Sequence, residues 1–240
     1  MIFKSVAAAG EPPSVGSTQA KTLELDHVFI CIDDPAESQR LLSDAGFQLG
    51  RRGTHKGQGT ANACAFFDNA YLELLWRHDD QELQSEAVRP VALWERVRWR
   101  ETGACPFGIA VRPGSDDLPI ETWAYEAPFL PDGANIPIVT PRFLCQEPLL
   151  FLSLVSQAPI TLPSESRPPL EHRGQNRRLT GVIVHGPKPS RLSAGLRYFC
   201  GLNVLTLDRA EEAHLELVWD GGASGESCDF RPFVPLVVRC

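Results

Sequence analysis

The sequence predicts an α+β protein built from repeated β-α-β-β-β units. Three observations carry that expectation. Residues 23–77 order themselves as strand, helix, strand, strand, strand. The motif AxLELxW occurs twice, at residues 70–76 and 213–219. Each copy is preceded by a matching strand, at 25–30 and 179–184. Each also has a matching helix end, Ala45-Gly46-Phe47 and Cys200-Gly201-Leu202. A supersecondary pattern that recurs in one order points to sheets built by duplication.

The first unit has the clearest signals. LELDHVFICI is an apolar run rich in Val, Ile and Phe, the composition of a buried strand. Its alternation sets Leu25, His27, Phe29 and Cys31 on one face and Asp26, Val28, Ile30 and Ile32 on the other. Asp33-Asp34-Pro35 then stops the strand and starts a helix, because aspartate caps free N–H groups and proline fits the first helical position. The helix runs to about Ala45 on the stripe Leu41, Leu42 and Ala45, and Gly46 suits the position past its end. FQLGRR reads as a strand, GTHKGQGTAN as a polar loop, and ACAFF and YLELLW as strands joined at Asp68-Asn69. In the last of these, Tyr71, Glu73 and Leu75 share a face.

The later elements are weaker echoes. Residues 85–100 suggest a helix interrupted by Pro90, with Trp94, Trp99 and several arginines on its surface. CPFGIAVRPGS and EPLLFLSLVS read as strands, residues 116–124 as a short helix, and 129–139 as a proline-broken extended region. Residues 159–178 are polar and proline-rich, a linker or extended crossover. LTGVIVHG is a strand, SRLSAGLRYFCG a helix, LNVLTL and AHLELVW strands, GGASGESCD a loop and FVPLVV a final strand. The division expected is a flexible arm at 1–20, a domain of two units at 21–158 with the second degenerate, the connection at 159–178, and a partial third unit at 179–240.

Composition narrows the function classes. The 240 residues are 43% hydrophobic, enough for a sizeable core. The net charge of −7 and the short, scattered basic clusters argue against a nucleic-acid partner. No apolar run approaches the roughly 20 residues of a membrane span, so no membrane partner is expected. Seven cysteines without a CxxC pair read as free thiols in a reducing cytoplasm.

The run LDHVFICIDDP, DAGFQLG, GTHKGQGTAN and YLELLW resembles the glyoxalase-like branch of the vicinal oxygen chelate superfamily. The similarity is good over residues 23–77 and loose beyond. It implies paired β-α-β-β-β units folded into half-open mixed sheets around a concave site. Many members hold one divalent metal through a histidine on the first strand and a glutamate on the last strand of a unit. Relatives isomerise, epimerise, open rings oxidatively or conjugate antibiotics, while others only bind a drug.

Carried onto this chain, the resemblance makes His27 and Glu73 metal ligands for Zn, Mn, Fe or Ni, and the catalytic pair. Glu216, at the position of Glu73 in the second AxLELxW copy, is the candidate third ligand. Gly181 stands where a second histidine would be. Without a metal, Glu73 becomes a general base with His27 orienting, and the plainest alternative makes both residues hydrogen-bonded core groups. His55, Gln58, Thr60, Asn62 and Tyr71 are candidate substrate contacts, since a glycine-rich loop with donors and acceptors beside a cavity suits ligand binding. The expected partner is a small-molecule substrate or ligand, with a homodimer as the candidate assembly. Two functions remain open: an enzyme acting on an oxygenated organic substrate, or a sequestering protein of the drug-resistance type.

Overall fold

The computed structural model describes residues 23–50, 52–112, 118–154, 157–173, 177–187 and 191–240. Strand β1 (Glu24–Cys31) and helix α1 (Pro35–Asp44) open the fold. They are followed by β2 (Arg52–His55), β3 (Thr60–Phe66) and β4 (Tyr71–Arg77). Short helical turns α2 (Asp80–Leu83), α3 (Leu93–Arg96) and α4 (Trp99–Thr102) lead to β5 (Phe107–Arg112), β6 (Thr122–Tyr125), β7 (Ile136–Val139) and β8 (Leu149–Leu152). These eight strands form one open sheet in the order β2-β3-β4-β1-β5-β8-β7-β6.

That order is two copies of one pattern back to back. β1 pairs parallel with β4, which runs antiparallel to β3, which runs antiparallel to β2. β5 pairs parallel with β8, and β8, β7 and β6 then follow antiparallel. The two units meet where β1 and β5 pair antiparallel. The protein is therefore α+β, with repeated units forming open mixed sheets, as the element order predicts. The second unit departs in one place. Residues 122–124, expected in a helix, lie with Tyr125 in strand β6. Pro119 leaves little room for a helix to start there, and the β-branched and aromatic side chains of Thr122, Trp123 and Tyr125 suit a pleated surface. Asp116 and Asp117, the first residues of that expected helix, lie outside the described residues.

The remaining elements are β9 (Leu179–Gly186), α5 (Ala194–Gly201), β10 (Thr206–Arg209), β11 (His214–Trp219), β12 (Ser227–Asp229) and β13 (Leu236–Arg239). They form a second sheet in the order β10-β9-β11-β13-β12. Its pairing differs from the first unit. β9 runs antiparallel to β11 and parallel to β10, whereas β1 runs parallel to β4. The AxLELxW strands β4 and β11 thus share a sequence but not a neighbourhood.

The two sheets enclose the main core. Val28 and Ile30 of β1, Leu72 and Leu74 of β4, and Phe107 and Ile109 of β5 pack with Val182 of β9, Phe199 of α5 and Leu217 and Trp219 of β11. Burying each such side chain contributes about 1.5–3 kcal/mol. A second cluster on the opposite face joins Phe29, Cys31, Leu75, Val91, Leu93, Tyr125 and Phe151. At the β1–β5 seam Gly108 makes room for Phe29, because a Cβ there would lie 1.9 Å from its ring.

Capping follows the sequence signals at α1. Asp34 accepts the Glu37 N–H, Pro35 occupies the first turn, and Gly46 follows the helix with φ +96°. The expected helix at 85–100 is instead a series of single turns. Arg96, fully buried, donates to the carbonyls of Val91, Cys105, Leu144 and Glu147, so it ties the turns to the following strand. Arg98 and Arg100 lie over the rings of Trp94 and Trp99 at 4.6 and 4.1 Å. The connection after β8 packs rather than hangs free: His172 stacks on Phe67 at 4.3 Å and bonds to the Phe66 carbonyl at 2.8 Å.

Candidate functional site

Both units of the first sheet and the connection after β8 line a cavity of about 680 Å3. Its floor is polar and its walls are mostly apolar, with Phe29, Phe66, Tyr125, Phe129 and Phe151 among them. His27, His55, Gln58, Asn62, Tyr71 and Glu73 all line it. Thr60 is fully buried beneath the floor and bonds to two of those residues. Strand pairing explains the convergence. His27 lies opposite Tyr71 on parallel β4, and Phe29 opposite Glu73, so side chains two residues apart on each strand point to the same side.

His27 is held on three sides. Its ring stacks on Tyr71 at 4.3 Å with planes 15° apart, and Phe151 meets it edge-on at 5.2 Å. Its Nδ1 bonds to Asp26 Oδ2 at 2.7 Å. Alternation alone sets Asp26 on the other face from His27. A bulge between Leu25 and His27, where β1 carries one residue more than β5, brings the carboxylate round to the cavity side. Arg112, itself buried, donates to Asp26 Oδ1 at 2.8 Å and to the carbonyls of Leu25 and Asn69, each at 2.6 Å. Burial alone raises the Asp26 pKa. The hydrogen bond and charge of His27, the bond from Ser153 and the charge of Arg112 outweigh it and hold the carboxyl below its ordinary range. An ionised carboxylate accepts only, so Nδ1 carries a hydrogen and, in the neutral imidazole, Nε2 presents its lone pair.

Glu73 faces that lone pair, with Oε2 3.9 Å from Nε2. Its other oxygen accepts from Asn62 Nδ2 at 2.6 Å. Asn62 lies 3.4 Å from His55 Nε2, and His55 Nδ1 is 2.8 Å from Thr60 Oγ1. Gln58 donates to the same hydroxyl at 2.9 Å and accepts from the Tyr125 hydroxyl at 3.1 Å. Burial pushes the Tyr125 hydroxyl well above its ordinary range, which keeps it a donor. The floor is thus a chain of polar groups from Arg112 to Tyr125. Its gap beyond hydrogen-bond length lies between His27 Nε2 and Glu73 Oε2.

The stretch that reads as a polar loop is mostly a hairpin. β2 and β3 pair from Arg52–Ala63 to His55–Thr60, and only Lys56 to Gly59 form the turn. Gly57 and Gly59 take φ +81° and +79°, and a Cβ on Gly59 would stand 2.4 Å from the Asp79 carbonyl oxygen. The strands read as loop because their polar side chains point inward to the cavity.

Glu216 lies elsewhere. It sits on β11 of the second sheet, 3.0 Å from Arg239 Nε and 3.4 Å from His185 Nε2, and does not line the cavity. Beside it the rings of His185 and His214 stack at 4.3 Å, 2° from parallel. The expected set His27, Glu73 and Glu216 is therefore not brought together. The reason is the different pairing of β11: a sequence match to β4 does not place its glutamate on the same sheet.

A structural or catalytic metal of this type takes three or more protein donors at about 2.0–2.3 Å from a common centre. The 3.9 Å between Glu73 Oε2 and His27 Nε2 would suit two donors on one ion, so the spacing of the pair is not what is lacking. The shortfall is a third donor, and the other Glu73 oxygen is already engaged by Asn62. Among the described residues no group of three or more His, Cys, Asp or Glu is placed to hold an ion. The donor set does not fit the metal that the resemblance implies. Asp26, Arg112 and Tyr125 are the site residues that sequence reasoning misses. Of these, only Asp26, adjacent to His27, carried a signal in the sequence.

Among the described residues no helix is long and apolar enough to cross a membrane. No curated protein matches the chain. A crystal structure of a hypothetical protein from Staphylococcus aureus superposes with a TM-score of 0.55, at 11% identity, over 90% of this chain and 99% of its own. A methylmalonyl-CoA epimerase in complex with methylmalonyl-CoA and NH4+ matches at 19% identity and a TM-score of 0.35, over 57% of this chain and 99% of that one. The Streptomyces coelicolor methylmalonyl-CoA epimerase, in complex with 2-nitronate-propionyl-CoA, gives 20% and 0.33 over 57% and 100%. The Glyoxalase-like domain family matches residues 25–199. With that match spanning most of its length, the chain belongs to the glyoxalase-like domain family of the vicinal oxygen chelate superfamily.

Proposed function

We propose that the protein is a small-molecule enzyme that isomerises an α-hydroxycarbonyl compound by proton transfer, with Glu73 as general base and His27 as proton relay. The observation that carries this reading is the gap in the polar chain: two acceptors, Glu73 Oε2 and His27 Nε2, stand 3.9 Å apart and face one cavity. Both are held from behind, Glu73 by Asn62 and His27 by Asp26 and Arg112.

The step balances without an added reactant. Glu73 Oε2 takes the proton from the hydroxyl-bearing carbon, and the C–H electron pair shifts toward the carbonyl oxygen. His27 Nε2 takes the hydroxyl proton and hands it to that oxygen. Glu73 then returns its proton to the former carbonyl carbon, so carbonyl and hydroxyl have exchanged places. Asp26 offsets the positive charge that passes through the imidazole. Positioned acid–base groups of this kind contribute about 10²–10⁴-fold. No step draws on a metal.

The test is proton NMR in D2O with 2-hydroxyacetophenone and acetoin, with and without chelator. The reading expects loss of the signal of the C–H beside the carbonyl, unaffected by chelator and reduced by about 10²-fold or more in Glu73→Gln. Binding of either ketone without exchange would instead make this a sequestering protein.

A further inference from the structure

We infer that the cavity selects its ligand by charge: it takes an apolar body carrying an amine or other cationic group, accepts a neutral hydroxyl compound less well, and rejects carboxylates and phosphates. The inference rests on the proposed site but not on its catalysis. Among the described residues that line the cavity there is no Lys or Arg, while two carboxylates, Asp26 and Glu73, reach it. Their situations differ. Arg112 approaches only from behind and spends its charge on Asp26, at 2.8 Å. Glu73 is buried and has no such partner. It is met by the neutral amide of Asn62 at 2.6 Å and by the imidazole of His27 at 3.9 Å. The floor therefore presents a carboxylate that no fixed cation neutralises.

The walls complete the argument. The rings of Phe66, Tyr71, Phe129 and Phe151 line the same space. Ring faces attract a cation, and apolar walls favour an apolar body. An anion there would be stripped of water beside a carboxylate, with no arginine fork to replace that hydration.

The experiment is calorimetric titration, at neutral pH, with three probes sharing one body: tryptamine, tryptophol and indole-3-propionate. Tryptamine is expected to bind at least about tenfold more tightly than tryptophol, with no binding of indole-3-propionate up to about 1 mM. In Glu73→Gln the amine preference disappears while tryptophol still binds, which also shows that the variant is folded. Equal or tighter binding of indole-3-propionate overturns the inference, as does failure of tryptamine to bind. These outcomes are independent of turnover. Amine selectivity without exchange of the ketones would sink the catalytic reading alone, and exchange without amine selectivity would sink this inference alone.

Discussion

Replacing Arg112 by Met tests whether the Asp26–Arg112 pair holds the floor of the site in place. In the folded chain Arg112 makes a charge-assisted bond to Asp26 and two to backbone carbonyls, all nine-tenths or more buried at the side chain. Methionine fills a similar volume but leaves a buried carboxylate without its cation. Breaking a buried pair in this way costs about 3–5 kcal/mol. For a chain of this size each kcal/mol moves the melting point by about 2–4 °C, so a fall of about 6–20 °C is expected. Asp26→Asn in the same background removes the orphaned charge. The double variant is expected to lose less than the sum of the single variants by about 2–3 kcal/mol, measured by urea unfolding. The pH dependence follows from the sign of the Asp26 shift. Its folded pKa is depressed, so its contribution is present above the unfolded value of 3.8 and is lost as pH falls through the lower folded value. Without Arg112 only His27 and Ser153 oppose the effect of burial, so Asp26 is more easily protonated, and the gap between wild type and Arg112→Met narrows in acid. Losses that add within about 0.5 kcal/mol, with a gap independent of pH, would refute the reasoning.

Three further outcomes are expected. His172 and His214 both have their pKa values lowered, chiefly by burial. Each therefore favours folding fully above the unfolded value of 6.5, and stability declines as pH falls below it; in His172→Phe that decline, followed by thermal unfolding, becomes shallower. Gly108→Ala drives a methyl into the Phe29 ring and is expected to cost about 1–3 kcal/mol by urea unfolding, with Phe29→Leu in the same chain recovering part of it. Dialysis against EDTA followed by Zn or Mn titration is expected to leave the melting point within about 1 °C, because the donor set at His27 and Glu73 does not close on an ion.

The sequence made the sheet legible because its strands carry strong alternation. Val28, Ile30, Leu72 and Leu74 reach the core between the sheets, while His27 and Glu73 turn the other way, into one cavity. What it concealed has four physical sources. A bulge shifts Asp26 to the face that strict alternation denies it. Polar side chains of β2 and β3 point inward, so a hairpin reads as a loop. Glu216 shares a heptapeptide pattern with Glu73, but pairing partners set its position, and β11 runs antiparallel to β9. The broken turns at 80–102 depend on Arg96 bonding to carbonyls as far along the chain as Glu147, a tertiary choice that no local propensity encodes.

The central claim is that substrate chemistry happens in the gap between His27 Nε2 and Glu73 Oε2. A crystal structure of the protein soaked with 2-hydroxyacetophenone tests it most directly. The account predicts the hydroxyl oxygen within about 2.6–3.2 Å of Nε2, its carbon turned toward Oε2, and the phenyl ring against Phe66 and Phe151. Ketone bound away from that gap, or a metal ion in the gap with a third protein ligand drawn in, would contradict it.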